Sequence, residues 1–136
     1  MGYSIEQITY QLTWPIRHEV MWPDKAVDYI KLPDDENGIH FAVWKNRKIV
    51  AVVSVFIDGN KAQFRKLATL VSEQRNGYGS ALINHLIAHL NHEDVSLLWC
   101  NARVDKTGFY EKFGLSKTSK KFNRGEQEYV IMEMNL

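Results

Sequence analysis

The chain has a single cysteine, Cys100, among 136 residues. An intramolecular disulfide is therefore excluded, and stability has to come from packing. Prolines number three and glycines eight, too few for a low-complexity or collagen-like chain. No apolar run approaches the ~20 residues needed to cross a bilayer. Residues 1–10 contain no basic stretch followed by an apolar one, so no signal peptide is expected and a cytoplasmic location is. Gly2 lacks the Ser/Thr that a myristoylation signal places at position 6, where Glu6 stands instead. A surplus of one charge is also missing, with 17 Lys and Arg against 16 Asp and Glu. That balance argues against a dedicated nucleic-acid binder, while leaving room for a local basic patch toward a phosphorylated ligand.

What the chain does have is apolar mass. Hydrophobic residues make up 45%, with four tryptophans, six tyrosines and six phenylalanines. This suits one packed core and one domain over residues 1–136. The pattern predicts a strand over Tyr3–Tyr10, then a helix capped by Thr13 that tolerates Pro15 and runs to about Met21. A short second helix is expected over Val27–Leu32, and a polar turn over Asp34–Gly38. Strands follow at Ile39–Lys45 and Lys48–Ile57 about the turn Asn46-Arg47. The β-branched run Ile49–Val53 marks a buried central strand. After the turn Asp58-Gly59-Asn60 comes a strand over Ala62–Val71. Gly77–Asn91 reads as an amphipathic helix with Tyr78, Leu82, Leu86 and Leu90 on one stripe. A strand at Val95–Cys100, a short helix at Val104–Phe113 closed by Gly114, and a hairpin of Leu115–Lys121 with Glu128–Met134 around Asn123-Arg124-Gly125 complete the chain. The expected fold is α/β: a mixed, mostly antiparallel central sheet flanked by helices, with at least one parallel strand pair.

The most informative stretch is Gln74-Arg75-Asn76-Gly77-Tyr78-Gly79-Ser80, between a strand and the amphipathic helix. Two glycines one residue apart permit a tight turn and a close backbone approach. The helix behind them offers unpaired N–H groups and a positive dipole end, a ready anion site, and Arg75 adds a cation. A nucleotide P-loop is excluded because no lysine precedes Ser80, and a dinucleotide fingerprint because Leu82 stands where its third small residue belongs. A structural turn with no ligand is the competing reading.

Gln-x-x-Gly-x-Gly between a strand and a helix resembles the acetyl-CoA signature of the GNAT N-acetyltransferase superfamily. Arg65-Lys66-Leu67-Ala68-Thr69 precedes the loop where that family has its central splayed strand. Gly108-Phe109-Tyr110-Glu111-Lys112-Phe113-Gly114-Leu115 resembles the family's second hallmark, a short helix with Phe/Leu-Tyr-Glu-x-x-Gly. The likeness runs from about Ile39 to the C-terminus. It implies a GNAT-like fold and acetyl-CoA as co-substrate, with no metal. Leu67, Ala68 and Thr69 would pair with the pantetheine arm as an added strand. The amides of Arg75, Asn76, Gly77, Tyr78, Gly79 and Ser80 would hold the pyrophosphate, and Gln74, which opens the signature, counts among the cofactor-binding residues. Many members carry Asn where Arg103 stands here, so Asn101, two residues earlier, is the candidate contact.

Acetyl transfer needs a neutral amine, a stabilised oxyanion and a proton for the departing thiolate. The resemblance assigns the last role to Tyr110, whose alternative is a core aromatic between Phe109 and Phe113. A backbone N–H near Leu67–Thr69 would stabilise the oxyanion. The strand glutamate that some members use as a base is Gln63 here. Glu19, His18, Glu128 or a chain of waters are the substitutes. The function expected is transfer of acetyl from acetyl-CoA to a small-molecule or protein amine by direct attack, with family habit suggesting a homodimer. The alternatives are a non-catalytic acyl-CoA-binding module, or transfer of a longer acyl group with Trp44 and Phe56 near the pocket. Neither a nucleic-acid nor a membrane partner is expected. His85, His89 and His92 share a helix face but lack an acidic companion, and read as surface histidines rather than a zinc site. Cys100 reads as a buried thiol. Trp14, Trp22 and Trp44 read as core residues before pocket residues, and Lys117, Lys120, Lys121 and Arg124 as a solvated basic cluster.

Overall fold

The computed structural model describes residues 2–136. Seven strands form one sheet in the order β1-β2-β3-β4-β5-β7-β6: β1 Tyr3–Ile8, β2 Ile39–Lys45, β3 Lys48–Asp58, β4 Lys61–Thr69, β5 Leu97–Arg103, β6 Ser116–Arg124 and β7 Gln127–Asn135. All neighbours are antiparallel except β4 and β5. The helices are α1 Trp14–Met21, α2 Tyr78–Leu90 and α3 Thr107–Glu111. Among the described residues, no helix is long and apolar enough to cross a membrane.

The meander forms because its turns can. Asn46 and Arg47 sit at φ 53° and 64°, the left-handed pair that matches the twist of a two-residue hairpin. β3 runs from buried Val50 through buried Val55, as its β-branched sequence demands. On α2, Tyr78, Leu82, Ile83, Leu86 and Leu90 are buried, which is the predicted stripe.

Alternation along the strands assigns the faces. His40 pairs with Ser54 and Phe41 with Val53, so these pairs point to opposite sides. Arg17 of α1 donates to Ser54, whereas His85 and His89 of α2 lie edge-on against Phe41. Tyr110 of α3 packs on Phe64, which pairs with Val55 on the Phe41 side. Thus α1 covers one face and α2 with α3 the other.

Several expectations need correction. Thr13 does not cap α1: its backbone is already helical, and its hydroxyl donates to the Tyr10 carbonyl at 2.7 Å. A 3₁₀ turn, Tyr10–Thr13, runs straight into the helix. The second helix is only a 3₁₀ turn, Val27–Ile30, because Pro23 and Pro33 frame too few residues to nucleate more. β5 extends to Arg103 because residues 101–103 find partners on β7, a pairing no local pattern reveals. The last hairpin turns later than expected, with Arg124 still paired to Gln127. His85 and His89 are half-buried against Phe41 rather than surface groups. No cluster of metal-ligating side chains occurs among the described residues.

Candidate active site

The sheet opens between β4 and β5. Their parallel pairing covers only Lys61–Gln63 against Leu97–Trp99, and beyond that the strands part. On its other edge β4 stays on β3, but with a bulge: Val52 faces Ala68 and Ser54 faces Arg65. The extra residue is Lys66, at φ 58°, a costly conformation for a side chain other than glycine. Its ammonium lies over the Trp22 ring, 4.6 Å from the centroid, and burial holds its pKa below the usual lysine value, with Arg65 and Arg17 adding to the shift.

The bulge decides which backbone groups face the gap. Leu70 donates to the Val50 carbonyl at 2.9 Å. By antiparallel alternation Ala68 also turns its N–H and C=O to β3, while Leu67 and Thr69 turn theirs to the open side. Of the three residues expected to present backbone to a ligand, Ala68 therefore does not. The Leu67 side chain reaches the loop: a Cβ on Gly79 would stand 3.8 Å from it and 3.7 Å from the Phe109 ring.

The loop before α2 carries the second notable feature. Gln74 is tied inward, its amide to the Val71 carbonyl and its side chain to the Thr69 carbonyl at 3.2 Å. Asn76 donates its side chain to the Glu73 carbonyl. Arg75 and Gly77 take left-handed φ of 68° and 81°. Consequently Arg75, Asn76, Gly77, Tyr78, Gly79 and Ser80 have no acceptor for their backbone N–H among the described residues, and no side chain caps the helix. The Tyr78 side chain turns into the core against Tyr3, so only its amide faces outward.

Across the gap, the Tyr110 ring lies 5.5 Å from that of Phe64 on β4. Burial pushes its pKa up to about 12, with the neighbouring Cys100 thiol of β5 adding to the shift. Its hydroxyl makes no hydrogen bond among the described residues and is not a fully occluded atom. Burial also pushes Cys100 up to about 12. A thiol so protonated is a poor nucleophile, so Cys100 is expected to resist iodoacetamide at pH 8 until denaturant is added, as mass spectrometry of the intact chain would record. Asn101 sits on β5, the strand next to β4, beyond the stretch where the two pair, half-exposed and opposite Ile131.

On the α1 face, below the point where β4 and β5 part, lies a groove of about 590 Å³. Phe56 and Trp99 are its aromatic walls, and Gln63, Glu133, Asp34 and Asp58 are among its polar groups. Trp99 and Glu133 were not singled out by sequence reasoning; the available signal was the alternation of β5, whose even members are buried. The three tryptophans that were singled out lie elsewhere. Trp14 donates to Asp35, Trp22 packs on Tyr29, and Trp44 joins the edge of the core. His18 and Glu19 line a separate cleft beside α1, and Glu128 stands opposite Asn123 near the hairpin tip. None of these three base candidates reaches the groove. Of the basic cluster, Lys120 does.

A buried polar circuit holds the groove's outer wall. Arg17 binds Asp35 through two bonds of 2.9 and 3.0 Å and donates to Ser54 at 2.8 Å. His40 touches Ser54 with Nδ1 and donates from Nε2 to the Asp35 carbonyl. The sequence run Asp34-Asp35-Glu36 gave no sign that its middle member would be 2% exposed.

Residues 6–115 match the family model described as Acetyltransferase (GNAT) family. The chain belongs to the GNAT acetyltransferase family. It is thus an acyltransferase by membership. An uncharacterized N-acetyltransferase of Bacillus subtilis, YitI, is 25% identical over 98% of this chain and 96% of its own length. The [ribosomal protein bS18]-alanine N-acetyltransferase of Escherichia coli K12 is 25% identical over 86% of this chain and 82% of its own. Among solved structures, a GNAT family acetyltransferase from Elizabethkingia anophelis with acetyl-CoA bound superposes with a TM-score of 0.76 at 16% identity, covering 99% of both chains. At that identity the likeness is one of fold. The GNAT fold read from the two sequence motifs is therefore the fold of this chain.

Proposed function

We propose that this GNAT protein transfers acetyl from acetyl-CoA to a primary amine by direct attack in a ternary complex. The observation that carries the reading is the run of six successive N–H groups without acceptors, residues 75–80, at the positive end of α2. Bare amides at a helix N-terminus bind linked phosphates without any special side chain. The open edge of β4 leads from that loop toward Tyr110. Leu67 and Thr69 would bond the pantetheine amides there, while Gln74 holds the loop to the strand. Asn101 is retained as a weaker contact.

Tyr110 would protonate the leaving thiolate. An ordinary phenol pushed to about 12 is a poor donor to an ordinary thiolate. The Cys100 thiol, in the same surroundings, is pushed to about 12 as well. A CoA sulfur held in similarly buried surroundings would be shifted the same way, which would bring donor and acceptor closer. The E. coli relative is named for N-acetylation of an alanine of ribosomal protein bS18; from it we carry over only an amine as acceptor.

Calorimetric titration with CoA, run beside thiol release from acetyl-CoA over an amine panel, tests the reading. Heat with CoA and thiol release with at least one amine are expected. No heat would overturn it. Ser80→Asp sharpens the test. A carboxylate in the first turn of α2 favours the helix by about 0.3–1 kcal/mol yet repels a pyrophosphate. The variant should melt no lower than wild type while binding CoA about tenfold or more weakly, a change of about 1.4 kcal/mol.

A further inference from the structure

Acetyl transfer leaves open which group takes the proton from the acceptor's ammonium, since Gln63 cannot. The register answers from an unexpected strand. Gln63 of β4 stands beside Trp99 of β5, and Trp99 stands opposite Glu133 of β7. The three lie in one row across adjacent strands, on one face, and all three line the groove. Two strand spacings put Glu133 about 10 Å from Gln63, with Trp99 between them as the floor on which an ammonium would rest.

The other carboxylates of the groove, Asp34 and Asp58, lie outside this row. Asp34 lies 3.6 Å from the Arg65 guanidinium, and Asp58 is directly opposite Lys61 at the end of the β3–β4 hairpin. Glu133 takes part in no ion pair among the described residues. Trp99 next to it, with Phe56 beyond Gln63 at the other end of the row, supplies a flat apolar wall suited to an alkylammonium. The groove also lies on the α1 face, whereas Tyr110 approaches from the α2 and α3 face. In the tetrahedral intermediate the entering nitrogen and the leaving sulfur are separate substituents, so a base and an acid can serve them from different faces of the gap.

Resting on the acetyl-transfer reading above, we propose that Glu133 is the catalytic carboxylate that receives the acceptor's ammonium and takes its first proton. That proton passes to solvent. The nitrogen lone pair then attacks the thioester carbonyl and the C–N bond forms. The nitrogen loses a second proton to water, the C–S bond breaks, and the thiolate takes a proton from Tyr110, which recovers one from solvent. One proton is released and one ends on sulfur. The charged groups that share the groove with Glu133 are Asp34, Asp58, Lys61 from the hairpin and Lys120 from β6; Ser116 stands opposite it on β6.

The test uses the whole chain and the best amine of the panel, with thiol release followed from pH 6 to 9. Glu133→Gln should lower kcat/KM near neutral pH on the order of 10²-fold, with CoA heat unchanged. Its residual rate should rise steeply with pH, because the amine must then arrive already neutral. Placing the carboxylate two strands away, in Glu133→Gln with Gln63→Glu, should recover much of the loss, which a merely structural role for Glu133 would not allow. Glu128→Gln, on the same strand but outside the groove, should match wild type. Equal rates and pH profiles for wild type and Glu133→Gln, with CoA still bound, would overturn this inference alone. Absence of CoA heat in wild type would overturn the acetyl-transfer reading and this one with it.

Discussion

Tyr110→Phe is expected to slow thiol release by about 10²–10⁴-fold, the usual contribution of a positioned acid, while CoA affinity stays within about twofold on the calorimetric scale. The substitution removes one oxygen and keeps the ring against Phe64 and Phe109. Because the hydroxyl bonds no protein group, its loss leaves no partner stranded, and the melting temperature should hold. The pH profile adds a second check. Burial, with the Cys100 thiol beside it, holds the phenol at about 12, so Tyr110 is protonated throughout the accessible range and contributes no alkaline fall in rate below about pH 11. If Tyr110→Phe turned over at the wild-type rate, the phenol would be only part of the core wall.

Asp35→Ala should cost about 3–5 kcal/mol of stability, read from the urea midpoint. Arg17 is fully buried and Asp35 nearly so, and removing the carboxylate strands a guanidinium that has no route to water. The Trp14 indole and the Leu32 amide lose their acceptors too. For a domain whose whole stability is about 5–15 kcal/mol, that is a large share. Replacing the pair together, Arg17→Met with Asp35→Leu, should recover most of it, since the damage lies in the unpaired charge. The acid limb follows the same groups. Burial alone would raise the Asp35 pKa, but the bonds from Arg17, Leu32 and Trp14, with the Arg17 charge, bring it below 3.8. Burial is the leading cause that puts the His40 pKa below 6.5, working against the bond to the Asp35 carbonyl and helped by the Arg17 charge. Both folded values are depressed, so both contributions are complete above the unfolded pKa and fade as pH falls. Thermal stability should begin to decline below about pH 6.5, where His40 starts to favour the unfolded chain, and fall further below about pH 4 with Asp35. A melting temperature flat from pH 7 to 4 would contradict the circuit.

The circuit also links stability to the groove. Asp35 fixes the 3₁₀ turn Asp35–Asn37 against α1 and β3, and that segment brings Asp34 and Asn37 to the groove's rim. Loosening it is therefore expected to raise KM for the acceptor before it touches CoA binding.

The sequence by itself determined the elements whose cause is local. The β-branched run Ile49–Val53, the left-handed turn Asn46-Arg47, the stripe on α2 and the two glycines before it each follow from backbone sterics and side-chain period. So does the family, because the loop and the Tyr110 helix depend on residue types at short spacing. Only the tertiary structure decided the rest. It splayed β4 from β5, turned Ala68 to β3 and left Leu67 and Thr69 to the gap, since a bulge at Lys66 depends on what β3 offers opposite it. It buried Asp35 out of an acidic run because Arg17, eighteen positions earlier, came to meet it. It set Glu133 in a row with Gln63, residues separated by most of the C-terminal half, because strand register is a contact between distant segments and leaves no mark on either one alone.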